Sequence, residues 1–149
     1  MTTPRKVFLS HTGEFAEYPA DGTFIRAALD AVARAGESAC DMRYFTARDG
    51  KPADYCREQV KACQVYVGII GLRYGSPVRD RPDVSYTELE FEAATEAGLK
   101  RFVFILDEDA SGVPLSKFFD PLHWERQEAF RKRLADSGLT IAPFTPPTN

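Results

Sequence analysis

Residues 65–70, Val-Tyr-Val-Gly-Ile-Ile, constrain the fold more than any other segment of this chain. A strand built from this run is apolar on both faces, as in the centre of a parallel sheet covered on two sides. Further strand candidates at 7–9 and 101–106 alternate with helical patterns, most of which end at a glycine. This alternation predicts an α/β fold, a three-layer sandwich whose central, mostly parallel, five-stranded sheet carries helices on both faces.

The length of 149 residues suits one domain. We expect that domain to span residues 1–142. Residues 143–149 contain three prolines. This composition predicts a tail or linker to a further downstream region.

Charge and composition exclude several partners. The formal net charge is -3, with no basic excess, so a nucleic-acid partner is not expected. The longest apolar run, 65–72, is too short to span a bilayer, so no membrane partner is expected either. Three cysteines, an odd number, favour a reduced cytoplasmic protein, and with only two histidines we expect no bound metal.

The predicted sheet directs attention to three loops. Ligands of open parallel sheets bind at the carboxyl ends of the strands. Here those ends lead into residues 10–22, 43–51 and 71–85, which are rich in polar, glycine or aromatic residues. Aromatic side chains in such loops either stack on a planar ring or cover the core. The candidate ligand-binding side chains are Ser10, His11, Arg43, Tyr44, Phe45 and Arg73.

The third predicted helix, Ser85 to Ala97, holds the most informative pattern. Tyr86 and Leu89 begin an apolar stripe that continues through three alanines, and Glu90 falls inside that stripe. A carboxylate on a core-facing side is costly to bury without partners. Glu90 therefore has either a structural role, in an ion pair with Arg73 or Arg43 or simply reaching the rim of the core, or a functional role facing a polar cleft.

The remaining side chains of this helix give two further expectations. Glu88, Glu92 and Glu96 lie on the opposite side, which predicts a solvated face. Phe91 lies off the apolar stripe, so the pattern predicts either a singly exposed aromatic residue or an assembly contact.

Four segments together resemble a known superfamily. They are residues 7–12 (Val-Phe-Leu-Ser-His-Thr), 42–45 (Met-Arg-Tyr-Phe), 65–76, which ends in Arg-Tyr-Gly-Ser, and 85–94, which begins Ser-Tyr-Thr-Glu-Leu-Glu. The chain resembles the TIR superfamily over roughly residues 5–145. Within it, the chain is most similar to the bacterial TIR-like domain of unknown function at the N-terminus of large NTPase and repeat proteins.

This resemblance implies a catalytic residue. TIR domains that cleave NAD often carry Trp-Cys-x-x-Glu after the third strand; here Tyr86 takes the Trp place, Thr87 the Cys place and Glu90 the glutamate place. Glu90 is then the catalytic residue and Tyr86 a substrate contact. Ser10 and Arg43 orient the ribose or diphosphate. His11 and Arg73 are further contacts, and Tyr44 or Phe45 stacks on nicotinamide.

The resemblance implies an NAD+ glycohydrolase or cyclase that cleaves the nicotinamide–ribose bond, with NAD+ as substrate and no cofactor. It further implies bacterial immune or stress signalling, activation by TIR–TIR self-association, and a downstream sensor, NTPase or repeat domain. Two alternatives remain open. One is a non-enzymatic TIR-type interaction adaptor. The other is a nucleoside or nucleotide N-glycosidase, or a deoxyribosyltransferase-like enzyme, using the same glutamate.

Overall fold

The computed structural model describes residues 3–41, 51–107, 113–139 and 141–144. Its strands are β1 (Lys6–His11), β2 (Ser38–Asp41), β3 (Val65–Ile70), β4 (Pro77–Val78), β5 (Arg81–Ser85), β6 (Lys100–Leu106) and β7 (Ile141–Phe144). Its helices are α1 (Phe24–Arg34), α2 (Ala53–Lys61), α3 (Tyr86–Glu96), α4 (Leu115–Phe118) and α5 (Trp124–Ala135), with a 3-10 turn at Gly13–Ala16. Among these helices, none has the length and apolar character needed to cross a bilayer.

Five strands form one sheet in the order β2-β1-β3-β6-β7, and every pair in it is parallel. The predicted α/β sandwich with a five-stranded central sheet is thereby confirmed. Strand β1 lies between β2 and β3, and Ser10 is opposite Gly68. The strand order reverses between β1 and β3, and in open sheets such a switch point is where ligands bind.

The two faces of the sheet are covered differently. On one face, Phe8 and Tyr66 belong to a large apolar cluster with side chains of α2, α3 and α5. On the other face, α1 packs over Val7 and Leu9. An apolar groove of about 490 Å³ remains between α1 and the sheet, and Phe102 at its edge is exposed.

The segment predicted as a polar loop before α3 contains regular structure. Strands β4 and β5 form a two-stranded antiparallel ribbon, and β5 leads without a break into α3. Periodicity did not reveal the ribbon because β4 has only two residues. The short helix α4 was not predicted for the same reason.

Helix α3 has the predicted bounds but a wider buried surface than its sequence pattern indicated. Ser85 caps it by accepting a hydrogen bond from the Glu88 amide (3.1 Å). The expected solvation of Glu88 is wrong, because the residue is only 8% exposed. The expected exposure of Phe91 is also wrong, because its side chain is buried. Phe91 packs between the rings of Tyr66 and Phe130 (centroid distances 5.8 and 6.0 Å). Helix α3 therefore has neighbours on more than one side. Of the three glutamates expected on a solvated face, Glu96 is exposed and Glu92 is half-buried.

The last strand crosses the predicted boundary between domain and tail. Strand β7 covers Ile141–Phe144 and pairs with β6. It therefore includes Pro143 and Phe144, the first two residues of the segment assigned to the tail. Proline fits here because β7 is an edge strand, where one missing amide donor is tolerated.

Candidate functional site

Two residues predicted to form the site meet at the carboxyl end of β1. The Ser10 hydroxyl donates a hydrogen bond to Oε1 of Glu90 across 2.8 Å. Ser10 is fully buried, and Glu90 is 1% exposed. Glu90 lies one turn into α3, where the helix dipole favours a negative charge. The buried carboxylate thus has the hydroxyl donor that its burial requires.

His11 lies beside this pair, at the end of the same strand. Its ring is buried, and Nδ1 is 2.9 Å from the backbone carbonyl of Thr12. Since a carbonyl only accepts, the proton of this contact is on Nδ1 of His11. The contact fixes the ring orientation at the sheet edge.

Arg73 lies at the edge of a polar cavity of about 330 Å³, a short distance along the same sheet edge. It donates to the backbone carbonyl of Lys117 (3.4 Å) and so links the loop after β3 to α4. The cavity is bounded by the first turn after β1, the loop after β3 and helix α4. Its lining residues are Thr12, Gly13, Glu14, Glu17, Arg73, Gly75, Ser76, Ser116 and Lys117.

Gly75 connects this cavity to α3. Its φ of +91° is in the region that side chains other than glycine rarely adopt. A Cβ placed there would come within 3.1 Å of the Thr12 methyl and 3.4 Å of the Thr87 hydroxyl. The loop therefore passes tightly between β1 and α3, one helical turn from Glu90.

Tyr86 occupies a different environment from the one predicted for a ligand contact. Its ring belongs to an apolar cluster with residues of α2, β4 and β5. Its hydroxyl donates to the Lys51 carbonyl (2.8 Å) and accepts from the Arg79 amide (3.3 Å). Tyr86 thus connects α3 to the start of α2 and to the ribbon; its role in substrate binding stays a prediction. The predicted contacts Arg43, Tyr44 and Phe45 lie outside the described residues.

Glu14 is a buried acid that sequence reasoning missed. It is 5% exposed, and among the described residues neither of its carboxylate oxygens has a hydrogen bond of normal geometry. Burial raises the pKa of Glu14 to about 7, although the Thr12 hydroxyl, Arg73 and His11 each lower it. Glu14 lies in a 3-10 turn, where neither the strand period nor the helix period marks a buried position.

A second buried acid stabilises the start of α3. The Tyr74 hydroxyl donates to the Glu88 carboxylate (3.1 Å) and accepts from the Ser85 amide (3.2 Å). Burial raises the pKa of Glu88, and Arg133, 3.9 Å away, lowers it. These contacts hold the helix that carries Glu90.

Comparison with protein families identifies the chain's relatives. A family model described as "Domain of unknown function (DUF4062)" matches residues 20–148, which is most of the chain. The chain belongs to the DUF4062 family. The description assigns this family no activity, and no curated protein matches the chain.

Solved structures relate this DUF4062 domain to TIR domains. The TIR domains of the activated Roq1 resistosome, which directly recognizes the pathogen effector XopQ, superpose with a TM-score of 0.50. The sequences are 16% identical, and the match covers 90% of this chain and 75% of that chain. At this identity the likeness establishes the fold alone. The DUF4062 domain is therefore TIR-like in architecture, as the sequence resemblance implied.

Proposed function

We propose that this TIR-like domain cleaves the nicotinamide–ribose bond of NAD+, with Glu90 as the catalytic residue. The observation that carries the proposal is the Ser10–Glu90 hydrogen bond at the carboxyl ends of β1 and β3. It holds an acidic side chain, oriented by a hydroxyl donor, at the switch point of a parallel sheet. A polar cavity lies a short distance along the same edge.

The chemistry needs only a few groups. When the bond between ribose C1′ and the pyridinium nitrogen breaks, the electron pair leaves with nicotinamide, which departs neutral. The ribosyl group becomes an oxocarbenium-like cation, which a nearby carboxylate stabilises. Water then adds to C1′ and releases a proton, giving ADP-ribose; addition of an adenine nitrogen instead of water gives the cyclic product. In this scheme Ser10 is a positioning residue that fixes the Glu90 carboxylate.

The decisive experiment is Glu90→Gln, which keeps the size of the side chain and removes its charge. We expect nicotinamide release to fall by 10²- to 10⁴-fold, in the range typical of a positioned acid or base. Chromatography of NAD+ reaction mixtures measures this release and also separates linear from cyclic ADP-ribose. Glu96→Gln, on the exposed end of the same helix, is the matched control and should retain activity. Normal turnover by Glu90→Gln would refute the assignment.

We further propose that this activity belongs to immune or stress signalling in the cytoplasm and depends on self-association. A substrate cannot reach Ser10 and Glu90 in the single chain without some movement, because both are almost fully covered. A neighbouring copy that stabilises the open arrangement would couple assembly to activity. The TIR domains of the activated Roq1 resistosome have the same fold as this domain.

One observation favours a second candidate, a non-enzymatic interaction adaptor. A carboxylate that is 1% exposed and bonded to a buried hydroxyl also suits a purely structural role. In that case wild-type protein releases no nicotinamide at any concentration. Glu90→Gln then changes only the free energy of unfolding.

A further inference from the structure

Glu14 lacks the partners that a buried carboxyl normally has. Burying such a group without a hydrogen bond costs stability. The Thr12 hydroxyl beside it is also buried without a hydrogen bond of normal geometry among the described residues, although it is close enough to lower the pKa of Glu14. Both residues line the polar cavity. Two buried polar groups whose contact with each other falls short of normal hydrogen-bond geometry leave hydrogen-bonding capacity in this cavity for a ligand.

Two positively charged side chains also line this cavity. Arg73 comes from the loop after β3, and Lys117 comes from α4. Ser76 and Ser116 add two hydroxyl donors. A guanidinium, an ammonium and several hydroxyls together suit a ligand with several anionic oxygens, and phosphate groups are the common example.

The cavity also lies at a suitable distance from Glu90. Thr12 follows Ser10 by two residues of extended backbone, which is about 7 Å. That separation is comparable to the breadth of one ribose. A ribose held against Glu90 would thus place its 5′ phosphate at Thr12, at the entrance to the cavity.

We propose that this cavity binds the diphosphate of a dinucleotide, with Arg73 and Lys117 pairing with its oxygens and the protonated Glu14 carboxyl donating a hydrogen bond to it. This inference rests on the proposed function in one respect, namely that the diphosphate belongs to the dinucleotide whose ribose Glu90 contacts. It adds a pH-dependent residue, Glu14, to which neither the family description nor the resemblance gives a role.

Protonation of Glu14 decides whether it attracts or repels this ligand. With the pKa raised to about 7, the carboxyl is mostly protonated at pH 6 and mostly ionised at pH 8. The charged or titratable groups around it are His11 on β1, Arg73 after β3, Lys117 on α4 and the exposed Glu17 after the 3-10 turn. If only the protonated form binds, the apparent Kd rises about tenfold between pH 6 and pH 8.

Calorimetric titration with ADP-ribose tests this proposal, since its diphosphate keeps the same charge over this pH range. We expect wild-type protein to bind about tenfold more weakly at pH 8 than at pH 6. Glu14→Gln, which mimics the protonated carboxyl, should bind equally well at both pH values. Arg73→Met should weaken binding at both, and adenosine, which lacks the diphosphate, should not compete.

Two controls make the result specific. Glu17→Gln removes the same charge at the cavity's exposed edge and should keep the wild-type pH dependence. Circular dichroism confirms that each variant is folded. The proposal is overturned if Glu14→Gln keeps the pH dependence of wild type, if His11→Gln abolishes it instead, or if wild-type protein does not bind ADP-ribose at pH 6.

Nicotinamide release by the same wild-type protein separates this proposal from the proposed function. Wild-type protein whose ADP-ribose binding depends on Glu14, but which releases no nicotinamide, would leave the diphosphate site standing and overturn the glycohydrolase. Wild-type protein that releases nicotinamide, but whose ADP-ribose binding does not depend on Glu14, would leave the glycohydrolase standing and overturn the diphosphate site.

Discussion

At the scale of single residues, the burial of Glu14 lowers the stability of the folded protein when its carboxyl is ionised. Its pKa is higher in the folded protein (about 7) than the ordinary value of 4.5, so the folded state binds this proton more tightly. The contribution of this proton to the free energy of unfolding is therefore fully present below about pH 4.5 and is lost as the pH rises toward 7. Above pH 7 the free energy of unfolding is lower by about 3 kcal/mol, because each unit of difference in pKa corresponds to about 1.36 kcal/mol.

Replacing Glu14 tests this cost directly. We expect Glu14→Gln to raise the free energy of unfolding at pH 8 by up to about 3 kcal/mol, because the amide carries no charge to desolvate. At pH 5 the variant and wild type should differ little. Urea denaturation at both pH values measures the difference, with Glu17→Gln as the exposed control. A variant that is less stable than wild type at pH 8 would contradict this explanation.

At the scale of elements, α3 depends on the loop that precedes it. Tyr74 lies in that loop, and its hydroxyl contacts both the Ser85 amide and the Glu88 carboxylate. Burial raises the pKa of Tyr74, and the nearby charge of Glu88 raises it further. The guanidinium of Arg126 lies 4.5 Å from the ring centroid and anchors the other side of the tyrosine to α5. One hydroxyl thus connects the cap of α3 to a buried acid.

Removal of this hydroxyl should loosen the start of the helix. We expect Tyr74→Phe to lower the free energy of unfolding by about 1–3 kcal/mol, because an amide and a carboxylate lose a buried partner. The loss should be larger at pH 8 than at pH 5, since the Tyr74 hydroxyl stabilises the ionised form of Glu88 and its removal raises the pKa of Glu88 further. Thermal unfolding at both pH values checks this. The control is Tyr55→Phe, which removes the hydroxyl of a half-buried tyrosine on α2. An equal loss of stability in this control would contradict the role given to the Tyr74 hydroxyl.

At the scale of the whole molecule, one helix ties together β3 and β6, two of the three strands that are followed by segments lining the cavity. Arg131 on α5 donates to the carbonyl of Gly71 after β3 (2.9 Å) and to that of Leu106 at the end of β6 (2.7 Å). Gln127 donates to the same Gly71 carbonyl (2.6 Å). These contacts hold the carboxyl ends of β3 and β6 together through α5. Ser10 and Glu90 remain covered. The rigid scaffold and the covered pair together favour activation by an external contact.

This arrangement predicts that activity depends on protein concentration. If a second copy stabilises an open site, nicotinamide released per mole of protein should rise as the domain associates, because the competent fraction rises with assembly. Enzyme assays and light scattering on the same dilution series measure both quantities. Activity that stays proportional to protein while the scattering shows a monomer would contradict activation by assembly.

The sequence by itself determined the three central strands β1, β3 and β6, the bounds of α3 and the position of Glu90 within its apolar stripe. These features follow from local periodicity and capping, which neighbouring residues along the chain decide. The family motifs pointed to the same glutamate. That part of the candidate site could therefore be predicted before any contact was known.

Only the tertiary structure decided what surrounds these residues. The Ser10–Glu90 bond joins positions 80 residues apart, and Phe91 is buried because α5 packs beside it. The burial of Glu14 likewise depends on elements that meet only in the folded chain. Periodicity reports one face of one helix or strand, whereas the environment of a charged group is set by every element packed around it.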